Sequence, residues 1–201
     1  MQVFNVLLLL LFVLQTSALF SFLKPISNAP VAALKAQILA QAAKTQRGLT
    51  ETEEEKEEMA KLFAQLEQKN KVKNALSSPL VNAVWCLQYT TSDTILGRGA
   101  SPRVGPILQT IDAPNGFAQN SEVVRYLGFF DVPRAVTAAI TPMTKSKVAV
   151  QFQQFSIGPL KIKCPPSFKG ELDVTYLDEE LRLSRGDKGN IFVLTKYADL
   201  P

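Results

Sequence analysis

The acidic triplet Asp178-Glu179-Glu180, beside Tyr176, is the arrangement in this chain that comes nearest to general acid–base chemistry. Such chemistry needs carboxylates whose pKa is shifted inside a cleft. Three consecutive acids between two alternating segments read more simply as a solvated turn. The chain has no histidine, which removes Ser-His-Asp and Cys-His catalysis and the commonest metal ligand. Its two cysteines, Cys86 and Cys164, form no CxxC pair and no zinc spacing. They fit either two partly buried thiols in a reducing compartment or one disulfide. Gly97-Arg98-Gly99 lacks a phosphate-binding continuation and reads as a loop. The expectation is a protein with no catalytic residues, no metal and no cofactor.

Charge narrows the partners. The formal net charge is +4, but from Val81 onward Lys and Arg barely outnumber Asp and Glu. Nucleic-acid binders concentrate their basic residues on one face or helix, and no such cluster is present, so nucleic acid is excluded as a partner. Apolar residues make up 46% of 201, enough for one core domain with appendages.

The N-terminal stretch reads as an address. Residues 6–14 are an unbroken apolar run closed by Gln15-Thr16-Ser17-Ala18, which fits a signal peptide over residues 1–18 and is too short for a comfortable membrane span. Residues 19–49 carry Lys24, Lys35, Lys44 and Arg47 and no acid, and can form an amphipathic helix through Leu34, Ile38 and Ala42. Basic, acid-free and amphipathic is the composition of an organellar transit segment. A signal peptide joined to such a segment resembles the two-part leader of algae whose plastids lie inside endomembrane.

Composition switches at Thr50. Thr50 and Glu53 have the spacing of a capping box, and glutamates from 51 to 58 suit the positive end of a helix dipole. Met59, Leu62, Phe63 and Leu66 then recur at helical spacing. Residues 50–76 are thus expected to hold an amphipathic helix that packs on the following domain or plugs one end of it. From residue 77 to 201 the period becomes two. Trp85, Leu87 and Tyr89 alternate with Cys86, Gln88 and Thr90. Further strands are read at 107–111 and 117–127 around Pro114-Asn115-Gly116, at 132–140, 148–157, 172–176, 181–183 and 191–194. Phe155 and Ile157 run out of phase with Val148, Val150 and Phe152, which predicts a β-bulge at Gln153-Gln154. Eight or nine short strands with Gly, Pro and Asn turns suggest a mainly β, antiparallel barrel or sandwich.

Two segments resemble a known family, the plastid lipid-associated proteins or plant fibrillins. One is Trp85-Cys86-Leu87-Gln88-Tyr89-Thr90-Thr91-Ser92, followed by Ile95-Leu96-Gly97; it is similar to the opening strand of that family. The other runs from Thr175-Tyr176-Leu177-Asp178 through Arg182-Leu183-Ser184-Arg185-Gly186-Asp187-Lys188-Gly189 to Phe192-Val193-Leu194, and is similar to the closing signature. Residues 148–157 share the V-x-V-x-F-x-x-F character. Ala83 stands where a glycine often precedes the tryptophan by two.

The resemblance implies a lipocalin-like β-barrel of about eight strands in a plastid, on thylakoids or plastoglobules, associated with carotenoids, quinones, tocopherols or other isoprenoid lipids. It also implies a structural Trp85 packed against a basic residue, for which Arg182 and Arg185 are the candidates. Arg185-Gly186-Asp187 then reads as a hairpin turn, not an adhesion tripeptide. Gly186 and Gly189 supply backbone freedom, and Asp187 caps the turn or pairs with Arg182 or Arg185. The expected cavity residues are Leu87, Tyr89, Val150, Phe152, Phe155 and Tyr176, since they offer wide apolar surface, and burial yields about 0.8 kcal/mol per methylene of a ligand. The functional expectation is a non-catalytic protein that binds isoprenoid-type lipids, coats plastoglobule or thylakoid surfaces, or does both. The alternatives are an enzyme or accessory factor of prenyl-lipid metabolism acting inside the barrel, and a secreted lipocalin-type carrier.

Overall fold

The computed structural model describes residues 30–97 and 102–200. The signal-peptide stretch 1–18, the first part of the transit-like stretch, and Arg98 and Gly99 of the loop lie outside the described residues. Two helices come first, α1 (Val31–Lys44) and α2 (Glu53–Glu67), then strand β1 (Ala83–Thr90) and the short α3 (Asp93–Leu96). Eight more strands follow: β2 (Arg103–Asp112), β3 (Phe117–Tyr126), β4 (Phe130–Pro142), β5 (Lys147–Ile157), β6 (Leu160–Lys163), β7 (Lys169–Leu177), β8 (Leu181–Gly186) and β9 (Ile191–Ala198).

The strands form one antiparallel sheet in the order β4-β3-β2-β1-β9-β8-β7-β5-β6, and β4 also pairs with β5. That last pairing, from Arg134 opposite Ile157 to Pro142 opposite Val148, closes eight strands into a barrel. Strand β6 lies outside the ring. It pairs with the far half of β5, where β7 has already diverged.

Side-chain alternation divides the core in two. Trp85, Leu87, Ile111, Ala118, Ile140, Val148, Val174 and Leu194 come from seven strands and pack in one cluster with Ala75 and Val81. Residues from seven strands around a ring can meet only inside it. A second buried layer, Leu34, Ile38, Met59, Leu62, Phe63 and Leu66, belongs to α1 and α2. It covers the outer face of β1, β9, β8 and β7.

Helix α2 begins two residues later than the Thr50–Glu53 spacing predicts. The capping box is made by Thr52 and Glu55: Thr52 Oγ1 accepts from the Glu55 N–H at 3.2 Å, and Glu55 Oε2 accepts from the Thr52 N–H at 2.9 Å. Both T-x-x-E patterns are present, and the second has a further anchor, because Lys44 reaches Glu55 at 2.7 Å. Helix α1 falls inside the stretch read as transit-like. Here it is part of the folded body, with Leu34 and Ile38 fully buried.

The bulge predicted in β5 is present. Thr137 pairs with Gln154 and Ala138 with Phe152, so Gln153 is the extra residue. Phe152 and Phe155 therefore face the same way. Two other register shifts alter the expected faces, between Leu87 and Tyr89 in β1 and between Val174 and Tyr176 in β7.

Candidate functional site

The barrel interior is built from its floor upward. Trp85 is fully buried, and its indole N–H donates to the Val81 carbonyl at 3.0 Å. Arg182, on the inward face of β8, lies over this ring with its guanidinium carbon 5.1 Å from the centroid. Of the two candidate arginines the structure selects this one. Its Nη2 donates to the Gln109 carboxamide oxygen, and Gln109 Nε2 donates to Asn120 Oδ1 at 2.8 Å. These bonds run from β8 to β2 and β3, which are not neighbours of β8. They cross the interior as a polar floor. Burial without a carboxylate partner pushes the Arg182 pKa down, yet a guanidinium stays charged at neutral pH. A desolvated cation over indole is worth about 2 kcal/mol.

Below this floor the barrel is filled. Above it the inner wall is half-buried and forms an open cup. Trp85 pairs with Gln109, Gln109 with Asn120, Asn120 with Val136 and Val136 with Phe155, so these five share one face. Two positions further along, Glu122 and Arg134 face inward opposite Ile157. Glu122 binds Arg103 and lies 3.7 Å from Arg134 Nε. The cup therefore has an apolar wall of Val136, Phe152, Phe155 and Ile157 and a charged wall of Arg103, Glu122 and Arg134.

The expected cavity residues divide accordingly. Leu87, Val150, Phe152 and Phe155 are on the inner face; Phe152 is half-buried and Phe155 is 36% exposed. Tyr89 and Tyr176 are on the outer face beneath the helices, which corrects their expected placement beside Leu87. The β1 register skips Gln88, so Leu87 pairs with Leu194 while Tyr89 pairs with Val193, whose side chain points outward. The Tyr89 hydroxyl donates to Glu51 at 2.6 Å. Burial and this carboxylate raise its pKa. In β7 the extra residue is Thr175, whose carbonyl accepts from Asn70 Nδ2 at 2.8 Å instead of from a strand. Tyr176 consequently faces α1 and donates to Asp178 at 2.6 Å.

Asp178 is a partly buried structural hub, while Glu179 and Glu180 beside it are exposed. It accepts from the Glu180 and Leu181 N–H groups at 2.9 and 2.8 Å and from Lys35 of α1 at 2.8 Å. Burial opposes its ionisation, but Lys35, Tyr176 and the two amides outweigh that and lower its pKa. Arg185 makes a bidentate pair with Glu67 at 2.8 and 2.7 Å and lies 5.0 Å from the Phe63 centroid. It thereby ties α2 to the outside of the barrel. In the turn that follows, Gly189 needs its positive φ of 75°. Gly186 has an ordinary backbone and is small because a Cβ there would meet the Phe192 ring at 3.3 Å. Asp187 lies against Gly170 and makes no ion pair among the described residues. Cys86 and Cys164 are free thiols.

A pocket of about 100 Å³ lies at the cup mouth between Gln46, Arg47, Leu87, Arg103 and Ile107. That is well below the ~300 Å³ at which small-molecule pockets begin. A shallow groove of about 620 Å³ outside the barrel, between α1 and β9, is rimmed by Lys35, Glu180, Lys196 and Asp199.

The model of the PAP_fibrillin family matches residues 32–163 and 156–195. The chain belongs to the PAP_fibrillin family. This fibrillin is 35% identical over 156 residues to "Probable plastid-lipid-associated protein 5, chloroplastic" of Arabidopsis thaliana, covering 77% of this chain and 64% of that one. It is 29% identical over 168 residues to "Probable plastid-lipid-associated protein 8, chloroplastic" of the same plant, covering 79% and 70%. To "Plastid-lipid-associated protein, chloroplastic" of Citrus unshiu it is 30% identical over 213 residues, covering 76% and 64%. The fibrillin thus spans just under two thirds of the length of the first and third of these relatives. No solved structure matches it. The matched region includes α1, so this helix is part of what the family shares.

Sequence reasoning missed the large apolar side chains on the rim of the cup, Leu127, Phe129 and Phe130 in one hairpin and Leu160 and Ile162 in another. The signal was available: Leu127-Gly128-Phe129-Phe130 places three large apolar residues around a glycine turn, where polar residues are the rule.

Proposed function

We propose that this fibrillin is a non-catalytic plastid protein that takes an isoprenoid-type lipid, of carotenoid, quinone or tocopherol class, into the open half of its barrel at a plastoglobule or thylakoid surface. The observation that carries this reading is the split interior. A filled lower half capped by Arg182, Gln109 and Asn120 supports an upper half whose wall of Val136, Phe152 and Phe155 is left half-uncovered. An apolar chain on that wall gains about 0.8 kcal/mol for each methylene it buries. The chloroplastic relatives support the plastid.

The test is uptake. Full-chain protein incubated with a plastid lipid extract is expected to co-purify with an isoprenoid lipid identified by mass spectrometry. Phe155→Asp is expected to cut retention about tenfold, the effect of losing one well-buried aromatic contact. No lipid retained from any extract, or undiminished retention by Phe155→Asp, would sink the cup as the binding site. Location is tested by fusing residues 1–50 to a fluorescent protein; signal in the medium instead of the plastid would support the secreted carrier.

A further inference from the structure

Ten large apolar side chains are exposed among the described residues, and eight of them lie at one end of the barrel. The other two, Met143 and Tyr197, lie at the opposite end, in the β4–β5 turn and near the end of β9. At the crowded end the β3–β4 turn carries Leu127, 82% exposed, Phe129, 68%, and Phe130, 54%, with the two rings 4.2 Å apart. The β5–β6 hairpin beside it carries Leu160 and Ile162. The β5–β6 turn is tied to β4 behind the β3–β4 turn, because the Gly158 N–H donates to the Pro133 carbonyl at 2.8 Å.

Two features set this rim apart from ordinary surface. Leu127 holds a φ of 51°, a region that favours Gly or Asn. A leucine at that apex incurs backbone strain as well as exposure, and strain of this kind gathers at functional sites. The second feature is charge. Lys161 and Lys163 alternate with Leu160 and Ile162 along β6, and Lys169 opens β7. None of the three is ion-paired among the described residues, whereas Arg125 in the neighbouring hairpin is neutralised by Asp131 at 2.6 Å. Apolar tips bordered by unpaired lysines, whose stems can lie along apolar surface while the ammonium stays at the polar layer, match an acidic lipid surface. Among the described residues no helix is long and apolar enough to cross a membrane.

We infer that the β3–β4 and β5–β6 tips dock the protein on an anionic lipid surface, with Leu127, Phe129 and Phe130 entering the apolar layer and Lys161, Lys163 and Lys169 meeting acidic headgroups. This rests on the lipid-surface reading above and deepens it by naming the face. The cup opens at the same end, since Phe155 and Ile157 continue into the β5–β6 hairpin. A docked barrel would receive its lipid from the surface without that lipid crossing water.

The test is flotation of full-chain protein with phosphatidylcholine vesicles, with and without phosphatidylglycerol. The paired change Phe129→Ser and Phe130→Ser is expected to lower binding to both vesicle types more than about tenfold. Lys161→Glu with Lys163→Glu should abolish the gain conferred by phosphatidylglycerol, as should high salt. Met143→Ser with Tyr197→Ser, at the other end, should change nothing. All six positions are exposed, so unchanged Trp85 emission and circular dichroism are expected and are checked in each variant. Uptake of a cyclodextrin-delivered decyl-benzoquinone in vesicle-free solution reports the cup separately. Tip variants that keep this uptake and lose flotation support the docking face. Tip variants that float like the parent overturn it and leave the cup reading untouched. A lipid-free dimer that the tip variants abolish, with vesicle binding unchanged, overturns it in favour of a second copy pairing along the open β6 edge.

Discussion

Arg182 lies with its guanidinium carbon 5.1 Å from the centroid of the Trp85 ring, and this pair forms the boundary between the filled and open halves of the barrel. The relationship offsets part of the cost of a fully buried cation. The indole face and the Gln109 carboxamide stand in for part of a carboxylate, while Arg182 Nε and Nη1 are buried without a hydrogen-bond partner. Removing one partner leaves the other stranded. Trp85→Ala is expected to cost about 3–5 kcal/mol, and a double-mutant cycle with Arg182→Met should give a coupling of about 1–2 kcal/mol. Urea denaturation of the two single variants and the double measures it; additive effects would mean the stacking contributes nothing.

Lys35 and Asp178 latch α1 to the β7–β8 turn, and the latch should open in acid. The folded pKa of Asp178 is depressed below its ordinary value of 3.8, so the unfolded state binds its proton first as pH falls. Stability from this group is therefore fully present above 3.8 and is lost as pH drops through the lower folded value. Hydrogen exchange of residues 31–44 should rise over that range. In Lys35→Met the rise should begin from an already higher level at neutral pH.

Asn70 holds the β7 bulge. Its side chain donates to the Thr175 carbonyl at 2.8 Å and accepts from the Val72 N–H at 3.1 Å. Asn70→Ala leaves a partly buried carbonyl without its donor and is expected to destabilise the protein by about 1–3 kcal/mol. Thermal unfolding checks the size of the loss. Asn70→Asp, which keeps the acceptor and loses the donor, should recover only part of it.

Gly48 lets the segment between α1 and α2 touch β1. It has a φ of 97°, and a Cβ there would sit 2.7 Å from the Thr90 carbonyl oxygen and 3.1 Å from the Tyr89 ring. Gly48→Ala should cost about 2–3 kcal/mol from combined strain and clash. Gly105→Ala serves as the comparison, because it has a positive φ of 80° but nothing within 4 Å of its Cβ. A smaller loss there separates the clash from the strain.

What the amino-acid sequence determined by itself was everything that depends on local periodicity. The alternation in β1 and β5 located strands, the turn at Pro114-Asn115-Gly116 placed β2 and β3 on either side of it, the phase change across Gln153 located a bulge, and the spacing of Met59, Leu62, Phe63 and Leu66 located the buried stripe of α2. The closing signature located the arginine that meets Trp85, though not which of two. Tertiary structure decided the faces of Tyr89 and Tyr176, because the extra residues Gln88 and Thr175 exist only relative to a partner strand, and neither interrupts the chain's own alternation. It also decided that β4 pairs with β5 to close the ring, and that the four-residue β6 survives as a strand at all. A strand's partners satisfy its backbone hydrogen bonds, and those partners are remote in sequence. Which side chain looks into the cup is therefore settled by register, not by composition.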